Sequence, residues 1–229
     1  MAEAVLTHAR DSGSIERLSL RHYVWIFVLC SIGGLIVETI VSYPIDGIWK
    51  DRAGLVWGPF SPIYGFGAVL LTLFLNRLRS AHPLMIFCAS ALLGAGFELI
   101  AGVFWKYAFG IVAWSYIDQP FNIGGYTCLS MALCWGALGL VWVKALLPPV
   151  VRAVDAVPDK IAKVLTAAMV AFLVANVAVT LLAFNYWFDR QTGHAVGGPV
   201  ETYFAQHYSD AFMADRFQTM SMWTDLASR

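Results

Sequence analysis

The sequence predicts an all-α fold, a polytopic membrane helix bundle with five transmembrane helices, and three observations carry that prediction. Of 229 residues, 59% are hydrophobic and 13% charged, about half the charge a soluble domain usually carries, and the mean hydropathy is +0.66. The apolar residues gather into five runs, at about 22–43, 58–76, 83–105, 124–146 and 164–187, each close to the ~20 residues that cross a ~30 Å hydrocarbon core. One acidic pattern also recurs. Gly34-x-x-x-Glu38 is followed by a polar link and Pro59-Phe60-Ser61-Pro62-Ile63-Tyr64-Gly65, and Gly94-x-x-x-Glu98 by a similar link and Pro120-Phe121-Asn122-Ile123-Gly124-Gly125. Lipid offers irregular backbone no hydrogen-bond partner, so the runs are helices, and their continuous length excludes short alternating barrel strands.

Taken in order, residues 1–21 form a polar cytoplasmic segment in which Ser14–Leu18 suits a short interfacial turn and the first ten residues are expected to be disordered. The apolar run that follows is too long for a signal-peptide core. Residues 22–147 are the membrane repeat domain, two helical hairpins at 22–76 and 83–146. Pro148, Pro149 and Pro158 set off a cytoplasmic amphipathic link, 148–163, expected to lie on the inner surface. The fifth helix, 164–187, leads into an extracytoplasmic tail, 188–229. That tail holds Tyr203, Tyr208, Phe212, Phe217 and Trp223, and is expected to form a short helix or two over the outer mouth.

Orientation follows from Lys and Arg. Arg10, Arg17 and Arg21 precede the first run, Arg77 and Arg79 lie in the 77–82 link, and Lys144, Arg152, Lys160 and Lys163 lie in the 144–163 link. These segments alternate with links holding only Lys50, Arg52 and Lys106. The N-terminus is therefore expected inside and the C-terminus outside, and the two hairpins are parallel repeats about an axis along the membrane normal.

A carboxyl group inside a membrane helix is costly and is a functional-site candidate by default. Glu38 and Glu98 lie five and seven residues before the expected outer ends of their helices, roughly 7–11 Å below the interface at ~1.5 Å per residue. Two carboxyls approaching each other in low dielectric cannot both ionise easily, which suits proton coupling or cation binding. The alternative is that each pairs with a cation, Arg52, Lys50 or Lys106, and locks helix packing. Gly33, Gly34, Gly94, Gly96 and Gly102 mark faces where helices approach closely. Pro62 removes a donor and disfavours helix at Ser61. The Trp57–Gly67 stretch therefore starts as extended or re-entrant backbone, with helix from about Ile63, and its polar groups bind a ligand or bond to Arg52 and Tyr64. Trp114 and Tyr116 suit an interfacial aromatic belt, and Asn122 either caps the next helix or contacts ligand.

Gly34-x-x-x-Glu38-Thr39-Ile40, the run Gly54-Leu55-Val56-Trp57-Gly58-Pro59-Phe60-Ser61-Pro62-Ile63-Tyr64-Gly65, Trp114-x-Tyr116, and Asn122-Ile123-Gly124-Gly125 with Cys128 and Trp135 resemble a family of bacterial integral membrane proteins, the putative ABC-transporter type IV (CmpB-like) permeases. The likeness spans about residues 30–148. It implies a multi-pass protein of the bacterial inner membrane, with motif positions at Glu38, Gly58, Pro59, Pro62, Tyr64, Gly65, Glu98, Trp114, Tyr116, Asn122 and Gly124. The family pattern has Arg-Gly before the Gly-Pro run and Trp-Asp-Tyr in the second link. Here Ala53 stands between Arg52 and Gly54, and Ser115 replaces the aspartate.

The net charge is zero, which implies no bulk attraction to nucleic acid. No Walker A, GxSxG or HExxH run occurs. Cys30, Cys88, Cys128 and Cys134 lie in apolar runs without CxxC spacing and read as small buried hydrophobes. The scattered histidines suggest no metal centre, and no cofactor is called for. Three functions remain open. One is a transporter or permease subunit with a polar site of Glu38, Glu98, Arg52, Tyr64, Trp114, Tyr116 and Asn122 near the outer face. It would be served by a separate nucleotide-binding subunit at the inner links. The second is a membrane-embedded enzyme acting on a lipid or quinone-like substrate. The third is a non-catalytic assembly partner that holds another protein through its C-terminal tail.

Overall fold

A computed structural model describes residues 18–47, 49, 51–194 and 197–222. Arg10, residues 14–17 of the expected 14–18 turn, Lys50, Trp223 and Asp225 lie outside the described residues.

Helix α1 (Leu20–Asp46) begins where the Ser19 N–H donates to His22 Nδ1 at 3.0 Å. Use of that nitrogen as acceptor leaves the proton on His22 Nε2, which faces Asp155 Oδ1 at 2.9 Å. Arg21 bonds Asp155 and Asp159 beside it, at 3.0 and 3.1 Å. Helix α2 (Pro62–Leu75) runs on as a 3-10 turn, Asn76–Leu78. Helix α3 (Pro83–Phe109) follows a short link. Both α2 and α3 open on a proline, which fits the first helical turn because its missing N–H has no acceptor there anyway.

Helix α4 (Leu129–Val141) passes through a π turn, Trp142–Leu146, into α5 (Leu147–Asp155). The prolines at 148 and 149 do not end this helix as expected. They deprive two carbonyls of donors, and the wider π turn sits where the ladder is short of them. The break comes only at Pro158. Helix α5 is amphipathic and buries Leu147, Val151 and Val154. Helix α6 (Asp159–Thr192) is the longest, and α7 (Pro199–His207) and α8 (Asp210–Arg216) fold back from it. Two residue pairs join β1 (Ile111–Val112) to β2 (Ser221–Met222) in antiparallel fashion.

Four helical stretches are long and apolar enough to cross a membrane: Leu20–Pro44, Pro83–Phe109, Leu129–Asp155 and Asp159–Thr192. Their outward faces carry large apolar side chains such as Leu92, Ile100 and Val164. The stretch Pro62–Leu78 is shorter, and the reason lies in how deep it starts. Ser61 N–H donates to Ser31 O at 3.1 Å, which places the start of α2 thirteen residues before Pro44 on α1, ~20 Å down that helix at 1.5 Å per residue. Residues 58–61 are descending backbone, as expected for the start of the Trp57–Gly67 stretch, so helix begins at Pro62 and not at the bound of about 58 given for the second span.

Helix α1 packs chiefly on α2, and α3 on α4. One core joins them, with Ile26, Leu71, Leu75, Ile86, Trp135, Trp142 and Val143 buried together. Trp142 Nε1 donates to Thr72 Oγ1 at 2.9 Å, so the one polar atom of that indole is satisfied inside the bundle. A second, aromatic core sits at the other end. Phe184 and Trp187 of α6 meet Phe204, Tyr208, Met213 and Phe217 of the tail, closing over Val56 and Ile111. Of the four cysteines only Cys128 is buried. Cys88 and Cys134, on α3 and α4, are exposed.

Candidate functional site

Glycine one turn before each glutamate determines what stands beside it. A Cβ on Gly34 would lie 2.2 Å from the Tyr64 ring, and one on Gly94 would lie 2.1 Å from the Trp135 ring. Both rings therefore need a glycine to seat so close to the facing helix. Gly102 admits Tyr126 in the same way, while Gly33 and Gly96 face nothing within 4 Å. Close approach was expected at five glycines and occurs at three of them.

The two glutamates differ in what they touch. Glu38 Oε1 is 3.3 Å from Arg52 Nη1, with the glutamate side chain 30% exposed, and the Tyr64 hydroxyl also faces the carboxylate. Glu98 is 4% exposed. Its Oε1 accepts from the Tyr116 hydroxyl at 3.0 Å and its Oε2 from Thr127 Oγ1 at 2.9 Å. The Trp135 indole interacts with the same carboxylate but makes no hydrogen bond of ordinary geometry. The glutamates do not contact each other directly. Tyr64 is within electrostatic reach of both Glu38 and Glu98, and of Tyr116. Burial first, and the Glu98 charge second, push the Tyr116 phenol above its usual range, so it remains a donor.

Each glutamate is served by a link that descends beside its helix. Trp135 sits over Gly94, so Leu129, six residues earlier on the antiparallel α4, stands near residue 100 of α3. That is ~13 Å below Phe109 at 1.5 Å per residue. Irregular backbone at such depth must have its polar groups met by protein, and the two links meet this demand differently.

In the first link, residues 51–61, Val56 N–H donates to Thr180 Oγ1 at 3.0 Å and Trp57 N–H to Asn176 Oδ1 at 3.2 Å, while Asn176 Nδ2 donates to Trp57 O at 2.8 Å. Arg216 gives Leu55 O two hydrogen bonds, at 3.0 and 2.8 Å, bonds Gly58 O as well, and pairs with Asp51 at 2.6 Å. Gly58 adopts φ 72, where its Cβ would also strike Phe60. Pro59 is exposed beside it, and Pro62 packs on Gly54. Gly65 lets α2 touch Ser31 and Phe27 of α1. Helices α6 and α8 supply these bonds, because the aromatic core brings them over the link.

The second link, residues 110–128, bonds mostly to itself. Trp114 Nε1 donates to Tyr126 O, and Tyr116 N–H to Gly125 O, both at 2.8 Å. Asn122 is not a helix cap. Its Nδ2 donates to Ile117 O and Gln119 O at 2.9 Å, and its Oδ1 accepts from Gly125 N–H at 3.1 Å. Helix α4 starts too far on, at Leu129, for that amide to reach its end. Gly124 sits at φ 59 and Phe121 at φ 55, the latter a strained position for a side-chain-bearing residue.

Sequence reasoning missed Thr127, Asn176, Thr180 and Arg216. Asn176 and Thr180 left a signal, two polar residues spaced i, i+4 within an apolar run and hence on one face. Thr127 and Arg216 left none.

The family described as "Putative ABC-transporter type IV" matches residues 25–181. The match reaches past both links and takes in Asn176 and Thr180. No curated protein and no solved structure matches the chain.

Proposed function

The chain belongs to this ABC-transporter type IV family, and from that membership we propose that it is a transporter or permease subunit. Its polar site would lie between Glu38 and Glu98 beneath the two descending links. The observation that carries this reading is Tyr64, a half-buried tyrosine that faces Glu38 and lies within electrostatic reach of Glu98. Arg52, Tyr116 and Thr127 complete the polar set, with Trp114 and Asn122 shaping the second link.

In this reading the chain crosses a bacterial cytoplasmic membrane five times as two parallel hairpins plus α6. Pro62–Leu78 is the short crossing, the N-terminus is inside and the tail outside. A separate nucleotide-binding subunit docks on the inner links. Lys144 Nζ supports a single docking surface there, since it bonds Arg79 O and Ala81 O, at 2.5 and 3.3 Å, and so joins the 77–82 link to the π turn. The tail is folded on Val56 and Ile111, which leaves less of it free for the assembly role.

The test is solute uptake into proteoliposomes, with Glu38→Gln and Glu98→Gln measured beside wild type. Uptake lost in both variants supports a shared site. Wild-type rates in both variants end the proposal.

A further inference from the structure

We infer that Glu98 is a reversible proton-binding site, made so by the hydroxyls of Tyr116 and Thr127, while Glu38 remains a carboxylate. The argument is one of donors and acceptors. A guanidinium is a fixed positive charge with five donors and no acceptor, so a carboxyl beside it is favoured in its ionised form. Glu38 is in that position, at 3.3 Å from Arg52. A hydroxyl both donates and accepts. Glu98 has one on each oxygen, at 3.0 Å and 2.9 Å, so either form of the acid finds partners without moving a helix.

Charge points the same way. Among the described residues no Lys, Arg or His forms an ion pair with Glu98, and the residue is 4% exposed. A buried carboxylate without a counter-charge is expensive, and taking up a proton is the usual relief. The groups facing Glu98 allow this. Tyr64 approaches from α2, Tyr116 and Thr127 belong to the second link, with Cys128 acting on Tyr116, and Trp135 comes from α4. Lys106, two turns on along α3, lies over the Tyr126 ring, 5.8 Å from its centroid. The proton comes from water and binds one carboxylate oxygen. The hydroxyl that had donated to that oxygen then accepts from it. On release the proton returns to water and the hydroxyl turns back.

This deepens the permease reading and rests on it only for the use made of the proton, so the test is chosen to be independent of transport. Infrared difference spectra of the full chain in lipid vesicles, taken between acid and alkaline pH, report the carbonyl stretch of a protonated carboxyl. The expected result is a band that appears with acid, is lost in Glu98→Gln and persists in Glu38→Gln. A band unchanged in Glu98→Gln, or the absence of any such band in wild type, overturns the inference. Should Glu98→Gln fail to fold, Tyr116→Phe combined with Thr127→Val decides the matter with Glu98 in place. The band should then move to the frequency of a carboxyl lacking a hydrogen-bond partner, and an unmoved band overturns the inference. Uptake that fails while the band behaves as stated rejects the permease and leaves the proton site standing.

Discussion

Residues 51–61 and residues 110–128 do corresponding work over Glu38 and Glu98, yet one is held from far away and the other by its own loop. Thr180, Asn176 and Arg216 are more than a hundred positions from the backbone they bond. Asn122, Trp114 and the Tyr116 backbone N–H all act within their own link. The deeper link is the one that needs distant help. It descends ~20 Å along α1 against ~13 Å for the other along α3, and a short extended segment cannot fold on itself enough to satisfy every carbonyl at that depth. The glutamates repeat the contrast: Glu38 sits beside a fixed charge, and Glu98 beside groups that reorient.

The largest expected effect breaks the distant support. Arg216→Ala removes the donors to Leu55 O and Gly58 O, in a side chain 18% exposed. Carbonyls left without partners in partly buried surroundings, together with lost charge-assisted bonds, should cost about 3 kcal/mol. Unfolding in detergent monitored by tryptophan fluorescence measures this, and protease cutting near residues 54–58 should rise with it. Stability unchanged within about 0.5 kcal/mol, the range of an ordinary surface substitution, would mean that α8 is merely resting on the link.

Next comes a comparison in which the two halves should respond alike. Gly34→Ala drives a methyl into the Tyr64 ring and Gly94→Ala into the Trp135 ring, and overpacking of this kind costs about 1–3 kcal/mol. Similar losses in thermal unfolding sharpen the correspondence of the hairpins. A clear inequality breaks it, and the larger loss identifies the more rigid pair.

A smaller effect is expected in the second link. Asn122→Ala removes three hydrogen bonds from a loop open to its surroundings, worth about 1 kcal/mol in net terms because other donors can replace them. Hydrogen exchange of the Gly125 amide, which donates to Asn122 Oδ1 at 3.1 Å, should quicken while that of the Val56 amide does not. Equal quickening at both amides shows that the links are coupled after all.

What could be read in the chain divides along the same line as the links. Long apolar runs declare themselves through composition, and the Gly-x-x-x-Glu spacing places each carboxyl beside a close helix contact without any tertiary knowledge. Among the alternatives open for Glu38, the Arg52 pair was legible because the cation is fourteen residues away in the adjoining link. The depth of the first link was not. It depends on Ser61 meeting Ser31 and on an aromatic core assembled from α6 and the tail, and neither has a local signature. Thr127 was invisible for a simpler reason: a threonine before an apolar run is ordinary, and only the folded link aims its hydroxyl at Glu98.

The smallest predicted effect has the opposite sign. Gly33 and Gly96 neighbour the two tight glycines but face nothing within 4 Å. In a helix interior alanine is favoured over glycine by up to about 1 kcal/mol, since glycine loses more backbone freedom on ordering. Gly33→Ala and Gly96→Ala should therefore leave the fold intact and raise its unfolding midpoint slightly in detergent. The same pair compared in lipid vesicles sharpens the contrast further. A methyl facing acyl chains costs nothing, so the gain should persist there. A gain that reverses for Gly33→Ala alone would show that another helix comes against the outward face of α1 in the bilayer, at the level of the more deeply descending link.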